Sequence, residues 1–414
     1  MISRNCRLQA FALSCSALAT ATVQAQANPY FIGVSQSFTH ESNVFRVATG
    51  QPRTADTFGT TTLFGGIDQP FGRQRLQADL AVGHSRYKDN DQLNNTNYRA
   101  SIALDWETVE KLSGRLGYTI NQSLARYGAD EGPTLTSRNL ERSQELLALA
   151  RYGRESLLGA EASFAHRQLD YSASAFAFKE LRQDAIRLGL LYRPSGLLTL
   201  GAAGRYTKGK YPFAVEPSPG FFLADEFTRN DLDLTALWVP TGQSTINARL
   251  SYTKSSHDAV TTRDLSGGTG AISWDYKPTG KLAFTTTLIR DSGSESAFFE
   301  LGQGRTASIG DNSQLSTILD FRGVYQATAK IEVELGASHT ERDLVRAFAL
   351  PSGGASTVAG TDRLDEFRLG VSYAPTRSIK LACSIGHERR SASSAVSYPY
   401  RADIASCMGQ FRLQ

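Results

Sequence analysis

Residues 231–242 read DLDLTALWVPTG. Leu232, Leu234, Ala236 and Trp238 occupy one phase of a two-residue period, and Asp231, Asp233 and Thr235 occupy the other. Successive side chains of a strand point to opposite faces, so the segment predicts a strand with one apolar and one charged face. Pro240-Thr241-Gly242 then reads as a chain reversal, because proline fixes φ and cannot donate to a ladder.

The pattern recurs along the chain in segments of about 8–11 residues. Tyr98, Ala100, Ile102, Leu104 and Trp106 alternate with Arg99, Ser101, Ala103 and Asp105; Phe367, Leu369, Val371 and Tyr373 alternate with Glu366, Arg368, Gly370 and Ser372. The segment Gln144–Tyr152 could also form a helix, and its spacing assigns it as the sixth strand.

Short and long connections take turns. Short turns are read at 68–72, 108–114, 153–156, 194–196, 240–242, 278–280, 326–330 and 375–377. Long polar connections are read near 39–57, 88–96, 127–139, 172–180, 209–227, 258–265, 292–312, 343–361 and 390–400. Eight and nine make seventeen connections, hence eighteen strands. An even count with both termini on the short-turn side is the requirement of a closed antiparallel barrel in a bacterial outer membrane.

Aromatic residues stand in the apolar phase just ahead of seven consecutive short turns: Trp106, Tyr152, Tyr192, Trp238, Tyr276, Tyr325 and Tyr373. Their separations run from 38 to 49 residues. Rings with an apolar body and a polar edge favour a membrane–water interface, so the seven predict an aromatic girdle at the periplasmic rim. A soluble solenoid or sandwich is the competing account. It gives no reason for one class of connection to be short and the other long.

The N-terminus carries Arg4 and Arg7, an apolar stretch from Leu8 to Val23, and Ala25-Gln26-Ala27. These are the parts of a secretory signal, which assigns 1–27 as a signal peptide and 28–414 as the barrel domain. The full chain has 44 Lys+Arg against 40 Asp+Glu, a net +4 that suggests no nucleic-acid partner. Its mean hydropathy of −0.29, with no apolar run of spanning length after the N-terminus, argues against a helical membrane protein. Outer-membrane lipid is therefore the expected partner and the outer membrane the expected location.

If the apolar phase faces lipid, the other phase lines a lumen. Arg99, Arg115, Arg187, Arg205, Arg249, Arg322 and Arg368 are its candidate substrate contacts, among acids of mixed spacing. Glu41, Ser42, Asn43 and Arg46 form either a functional element near the mouth or an ordinary Asx-type turn. The six histidines, His40, His84, His166, His257, His339 and His387, fall at or just past the ends of strands running toward the long loops, which places them around the outer rim. That spacing gives no metal site, and no cofactor motif is present. His84 and Ser85 are adjacent and point to opposite faces, so no catalytic triad is read and the expectation is a non-enzyme. Cys383 and Cys407 have their midpoint at residue 395, in the last long connection, and share the outward phase; this predicts a cross-strand disulfide.

The opening YFIGVSQSFTHESNVFR (30–46), then Asp56-Thr57-Phe58 and Arg73-Gln74-Arg75-Leu76, resembles outer-membrane barrels encoded with exopolysaccharide synthesis loci, the EpsL-like group of β-barrel porins. The chain departs from that pattern at His40-Glu41, where Asp-type residues are commoner, and in ending on Gln414 rather than an aromatic residue. The resemblance implies a conduit for secreted polysaccharide, with polysaccharide and periplasmic polysaccharide-export proteins as partners. Two alternatives stand beside it: a diffusion porin for small solutes or oligosaccharides, and a surface-binding or adhesion barrel. The last draws on Tyr211, Phe213, Phe221 and Phe222 in the connection 209–227, because exposed aromatics suit sugar or protein contact.

Overall fold

A computed structural model of the chain describes residues 28–127, 136–153, 156–218, 220–292, 300–301, 305–306, 313–349, 355–392 and 397–414. The signal-peptide assignment lies outside these residues. The first strands are β1 (Tyr30–Glu41), β2 (Asp56–Phe71), β3 (Gln74–Tyr87), β4 (Asn95–Glu107), β5 (Leu112–Leu124) and β6 (Leu140–Tyr152). There follow β7 (Leu158–Tyr171), β8 (Leu181–Ser195), β9 (Leu198–Ser218), β10 (Phe221–Thr241), β11 (Ser244–His257) and β12 (Leu265–Tyr276). The last are β13 (Leu282–Asp291), β14 (Ser313–Gln326), β15 (Ile331–Ala349), β16 (Ala355–Tyr373), β17 (Ile379–Ala392) and β18 (Tyr400–Leu413). Each pairs antiparallel with its sequence neighbours, and β18 closes on β1 through pairs such as Val34 with Phe411. The result is a closed eighteen-stranded barrel, which leaves no unpaired sheet edge. A two-residue ribbon, Glu300–Leu301 with Arg305–Thr306, lies in the connection after β13.

The phases sort as the alternation requires. On β10, Leu232 and Leu234 are 63% and 58% exposed on the outside, whereas Asp231 and Asp233 are 5% and 1% exposed on the inside. Large apolar side chains on the outside of nearly every strand form a continuous belt, and a belt of that kind is stable only in contact with lipid. The protein is therefore an outer-membrane β-barrel. Residues 144–152 are strand, within β6.

On the short-turn side the chain reverses tightly; between β2 and β3 only Gly72 and Arg73 intervene, with Gly72 at φ +63°. The opposite side differs from expectation in two places. The long connections read at 209–227 and 343–361 are mostly strand, since β9 runs to Ser218, β10 starts at Phe221, and β15 and β16 extend to Ala349 and from Ala355. Register shifts on the β9–β10 ladder, between Phe221 and Leu223 and between Leu223 and Asp225, let the prolines of this stretch sit in extended chain without a missing donor breaking the ladder. Inward packing sustains the extension: Tyr211, Ala214, Val215 and Phe227 are buried together with Leu169, Leu181 and Val260. Tyr211 is thus a packed residue rather than an exposed one, with the Arg263 guanidinium 5.0 Å from its ring centre. Phe213 and Phe222 pack edge to face at 5.3 Å, and Phe221 is exposed.

His257 also departs from the rim reading. It shares the inward phase of Arg249, Ser251, Thr253 and Ser255, and its ring stacks on Phe227 at 5.1 Å. The other five histidines face outward above the apolar belt, three of them on aspartates: His166 on Asp184, His339 on Asp365 and His387 on Asp403.

Candidate functional site

The lumen has two unlike walls. From β6 to β13 the inward charges form one connected, largely dry cluster. Arg229 lies against Asp231 and Asp291, each at 2.8 Å, and donates to the Ser292 hydroxyl at 2.7 Å. Arg249 reaches Asp291 at 2.5 Å; Arg205 meets Asp231 at 3.2 Å and Asp233 at 3.6 Å. Arg187 bridges Asp233, at 3.2 Å, and Glu161, which Arg151 also contacts. Side chains of Arg205, Arg229, Arg249, Asp231, Asp233 and Asp291 are each at most 4% exposed. Several counter-charges per guanidinium are what a buried ion needs, because desolvation of a carboxylate or guanidinium is otherwise several kcal/mol.

The facing wall, β14 to β18 and β1 to β5, has a dry group only toward its loop ends, where Asp362 meets Arg342 at 2.6 Å and Arg390 at 3.9 Å, and keeps other charges wet. Arg115 pairs with Asp105 at 3.2 Å and Arg322 with Glu334 at 2.8 Å, and both arginine side chains are about a quarter exposed (23% and 24%). Arg99 is half-buried on β4, and Arg368 is exposed on β16. Of the seven candidate arginines, then, Arg99, Arg115, Arg322 and Arg368 line the water-exposed wall. Arg187, Arg205 and Arg249 belong to the paired cluster, and the burial of the last two removes them from the open lumen surface.

The mouth is bridged by loops that turn inward. In the loop after β1, Asn43 is fully buried; its side-chain amide donates to the carbonyls of Val47 and Arg401, and its oxygen accepts from the Val47 amide at 3.0 Å. Ser42 Oγ accepts from the Asp403 amide. Arg46 stands at φ +47°, the one positive-φ non-glycine residue among the described residues, and it clamps Glu388 on β17 at 2.9 Å and Glu41 at 3.4 Å. The Glu41-Ser42-Asn43-Arg46 element is accordingly the latch of the loop, closed by a backbone turn in which the Arg46 amide donates to the Asn43 carbonyl at 3.0 Å, and the Asn43 side chain caps Val47 four residues on rather than making an Asx turn. Burial pulls the Arg46 guanidinium down, but the Glu388 and Glu41 carboxylates outweigh it and hold its pKa above the usual arginine value. Val44 and Phe45 at the loop tip pack with Leu93 and Tyr127 from the next two loops, Phe45 and Tyr127 at 5.3 Å. Burial pushes the Tyr127 phenol up to about 12.

Arg126, just past β5, spans the mouth to Glu366 on β16 at 2.5 Å and Glu388 on β17 at 2.9 Å. β5 and β17 are six strands apart around the wall. A second bridge joins β9 to β15, also six strands apart, with Cα atoms within 8 Å. On a round eighteen-stranded wall, strands so far apart would be separated by roughly 30 Å, from the inter-strand spacing and tilt. The extended ends lean over the lumen, and Ala214, Val215, Leu344 and Val345 on them are buried.

Arg126 and Glu388 were not singled out from the sequence, and neither sits in a motif. The alternation marks Glu388 as inward, whereas Arg126 lies at a loop start with no local signal at all.

Outside the lumen, Tyr152, Tyr192, Trp238, Tyr325 and Tyr373 are 42–53% exposed at the short-turn rim, with Trp106 and Tyr276 half-buried there. Cys383 and Cys407 are direct cross-strand partners on β17 and β18 and are joined by a disulfide, their Cα atoms 4.1 Å apart.

The fold, the lipid-facing belt and the charged lumen define the class: an outer-membrane β-barrel with a polar passage narrowed at its outer mouth. No protein-family model matches the chain, and no curated protein does either. Among solved structures, OccK2 (OpdF) of Pseudomonas aeruginosa is similar at 13% identity over 93% of this chain and 97% of that one, with a TM-score of 0.46. OccAB4 of Acinetobacter baumannii is similar at 11% identity over 94% and 99%, with a TM-score of 0.45. The outer membrane protein OpdK of P. aeruginosa is similar at 13% identity over 93% and 98%, with a TM-score of 0.43.

Proposed function

We propose that the barrel is a passive diffusion channel for small polar solutes, oligosaccharides among them, and performs no chemistry on what passes. The observation that carries this reading is the bridged mouth. Arg126 reaches across to Glu366 and Glu388, and β9 approaches β15, over a lumen whose wall carries solvent-accessible charges such as Arg115, Arg322 and Arg368. A small solute can exchange its water for wall contacts one at a time, each weak enough to release. A polymer in transit would occupy the bridged mouth continuously and hold many wall contacts at once, so export of an exopolysaccharide with periplasmic partner proteins, as the EpsL-like resemblance implies, is the less supported reading. The adhesion reading is weakened, since Tyr211 packs inward and Phe213 packs on Phe222, which leaves Phe221 as its exposed aromatic.

The test is a swelling and conductance assay on the purified barrel in liposomes, with sugars graded from mono- to tetrasaccharide. Permeation that falls steeply with size is expected. Absence of any sugar flux would defeat the channel reading. So would a clean gene deletion that traps polysaccharide in the periplasm while leaving uptake of small solutes unchanged.

A further inference from the structure

The outward face carries a feature that neither the lumen nor the apolar belt accounts for. Arg389 on β17 and Arg401 on β18 are direct cross-strand partners. Both are exposed, and the alternation turns both outward: they share the phase of Ile385 and Cys383 on one strand, and of Ala405 and Cys407 on the other. Cross-strand partners on one face lie about 5 Å apart at Cβ, and like charges placed so are destabilising. Among the described residues neither guanidinium has an ion pair or a side-chain hydrogen bond. The nearby acids are engaged elsewhere: Asp403 with His387 at 2.7 Å and Asp365, the cross-strand partner of Arg389, with His339 at 2.6 Å. Arg363, on the neighbouring strand, is matched by Glu341 at 3.0 Å.

Height along the barrel identifies what meets this pair. From Ile379 at the lower edge of the belt to Arg389 the strand climbs roughly 25 Å, at about 3.3 Å per residue and a tilt of about 40°. That equals the height of the apolar band, so the pair sits where outer-leaflet headgroups begin, on the side of the long loops. A repelling arginine pair facing a membrane surface is relieved by an anion, and guanidinium forks match phosphate in geometry as well as charge.

We propose that Arg389 and Arg401 form a binding site for the phosphate of an outer-leaflet glycolipid. One step lower on the same face Asp403 is held by His387 at 2.7 Å, and Ile385, 59% exposed, offers the acyl chains an apolar surface below. The site lies on the outside of the wall and does not depend on what the lumen conducts.

The experiment uses the full barrel in phosphatidylcholine nanodiscs containing lipid A, with bound lipid read by native mass spectrometry. The double variant R389Q/R401Q is expected to retain lipid A roughly tenfold less well, as loss of charge-assisted bonds predicts. R363Q, which loses a cation already paired with Glu341, is expected to behave as the parent. Dephosphorylated lipid A should bind the parent no better than the double variant. Heat-modifiable mobility on gels reports that the variants are folded barrels. Equal retention of lipid A by the parent and the folded double variant overturns the proposal. So does equal retention of the dephosphorylated lipid by the parent, or displacement of lipid A by inorganic phosphate alone, which would make the site one for a soluble anion.

Discussion

The two walls of the lumen are built from the same alphabet. Each strand presents alternate residues inward, and each wall mixes arginines with aspartates and glutamates. On the β6–β13 wall, however, charges share counter-ions: Asp291 serves Arg229 and Arg249, and Asp233 serves Arg187, Arg205 and Arg249. On the opposite wall the same sharing recurs only near the mouth, where Asp362 serves Arg342 and Arg390 and Glu388 serves Arg46 and Arg126; its wetter charges pair singly, as Arg115 with Asp105 and Arg322 with Glu334, or face water as Arg368 does. Water supplies the missing solvation on the wet wall, so single pairing suffices there. Where water is excluded, the protein must provide that solvation itself. Charge number along a strand therefore says little about permeation; the count of partners per charge distinguishes structural wall from passage.

The largest effect expected from breaking this contrast is at Asp291. Asp291→Ala leaves Arg229 and Arg249 short of a carboxylate in a dry cluster, at a cost of about 3–5 kcal/mol. Refolding yield and thermal stability of the barrel, followed by heat-modifiable mobility, should fall sharply. A fall no larger than that of a wet-wall variant would mean the cluster is hydrated after all. The disulfide variant C383S/C407S lies outside both walls, and the chain-entropy account gives a loss of roughly 3 kcal/mol on unfolding in urea. An unchanged midpoint would show that barrel closure already confines the last hairpin.

At the mouth, Arg126→Gln removes the bridge to Glu366 and Glu388 but leaves the Arg46 latch in place. Single-channel conductance is expected to rise by roughly twofold, with stability changed by about 1–2 kcal/mol. Unaltered conductance would place the narrowest point elsewhere. Because the carboxylates hold the Arg46 pKa above its unfolded value, the latch is present below that value and is lost only as pH climbs through the folded one, beyond any alkaline assay; raising pH should not open the mouth through Arg46. The smallest effect on stability is expected for Arg322→Gln and Arg368→Gln on the wet wall, under about 1 kcal/mol each. Their reversal potentials in a salt gradient should nevertheless move toward cation selectivity, and a shift of equal size from a buried-wall variant would erase the contrast between the walls.

Much of the architecture was legible locally. The alternation at 98–106, 231–238 and 366–373 set the inward and outward faces. The prolines and glycines of the short turns set the even strand count, and the midpoint of Cys383 and Cys407 set their register. Local signals failed where the chain left the membrane. The stretch 209–227 looks like a loop because it is aromatic and contains prolines, yet bulges and the cluster around Tyr211 and Phe227 keep it extended. His257 misled because its distance from the strand end resembled that of five outward histidines, while its parity was inward.

By itself the sequence determined the barrel, its strand number and which side chains meet lipid, because strand parity and turn chemistry are properties of neighbouring residues. Only the tertiary structure decided which inward charges are dry, that Arg126 meets Glu366 at a separation of 240 residues, and that β9 leans toward β15. Those outcomes depend on what lies across the lumen, and closure of the eighteen-stranded wall brings together segments that no local pattern relates.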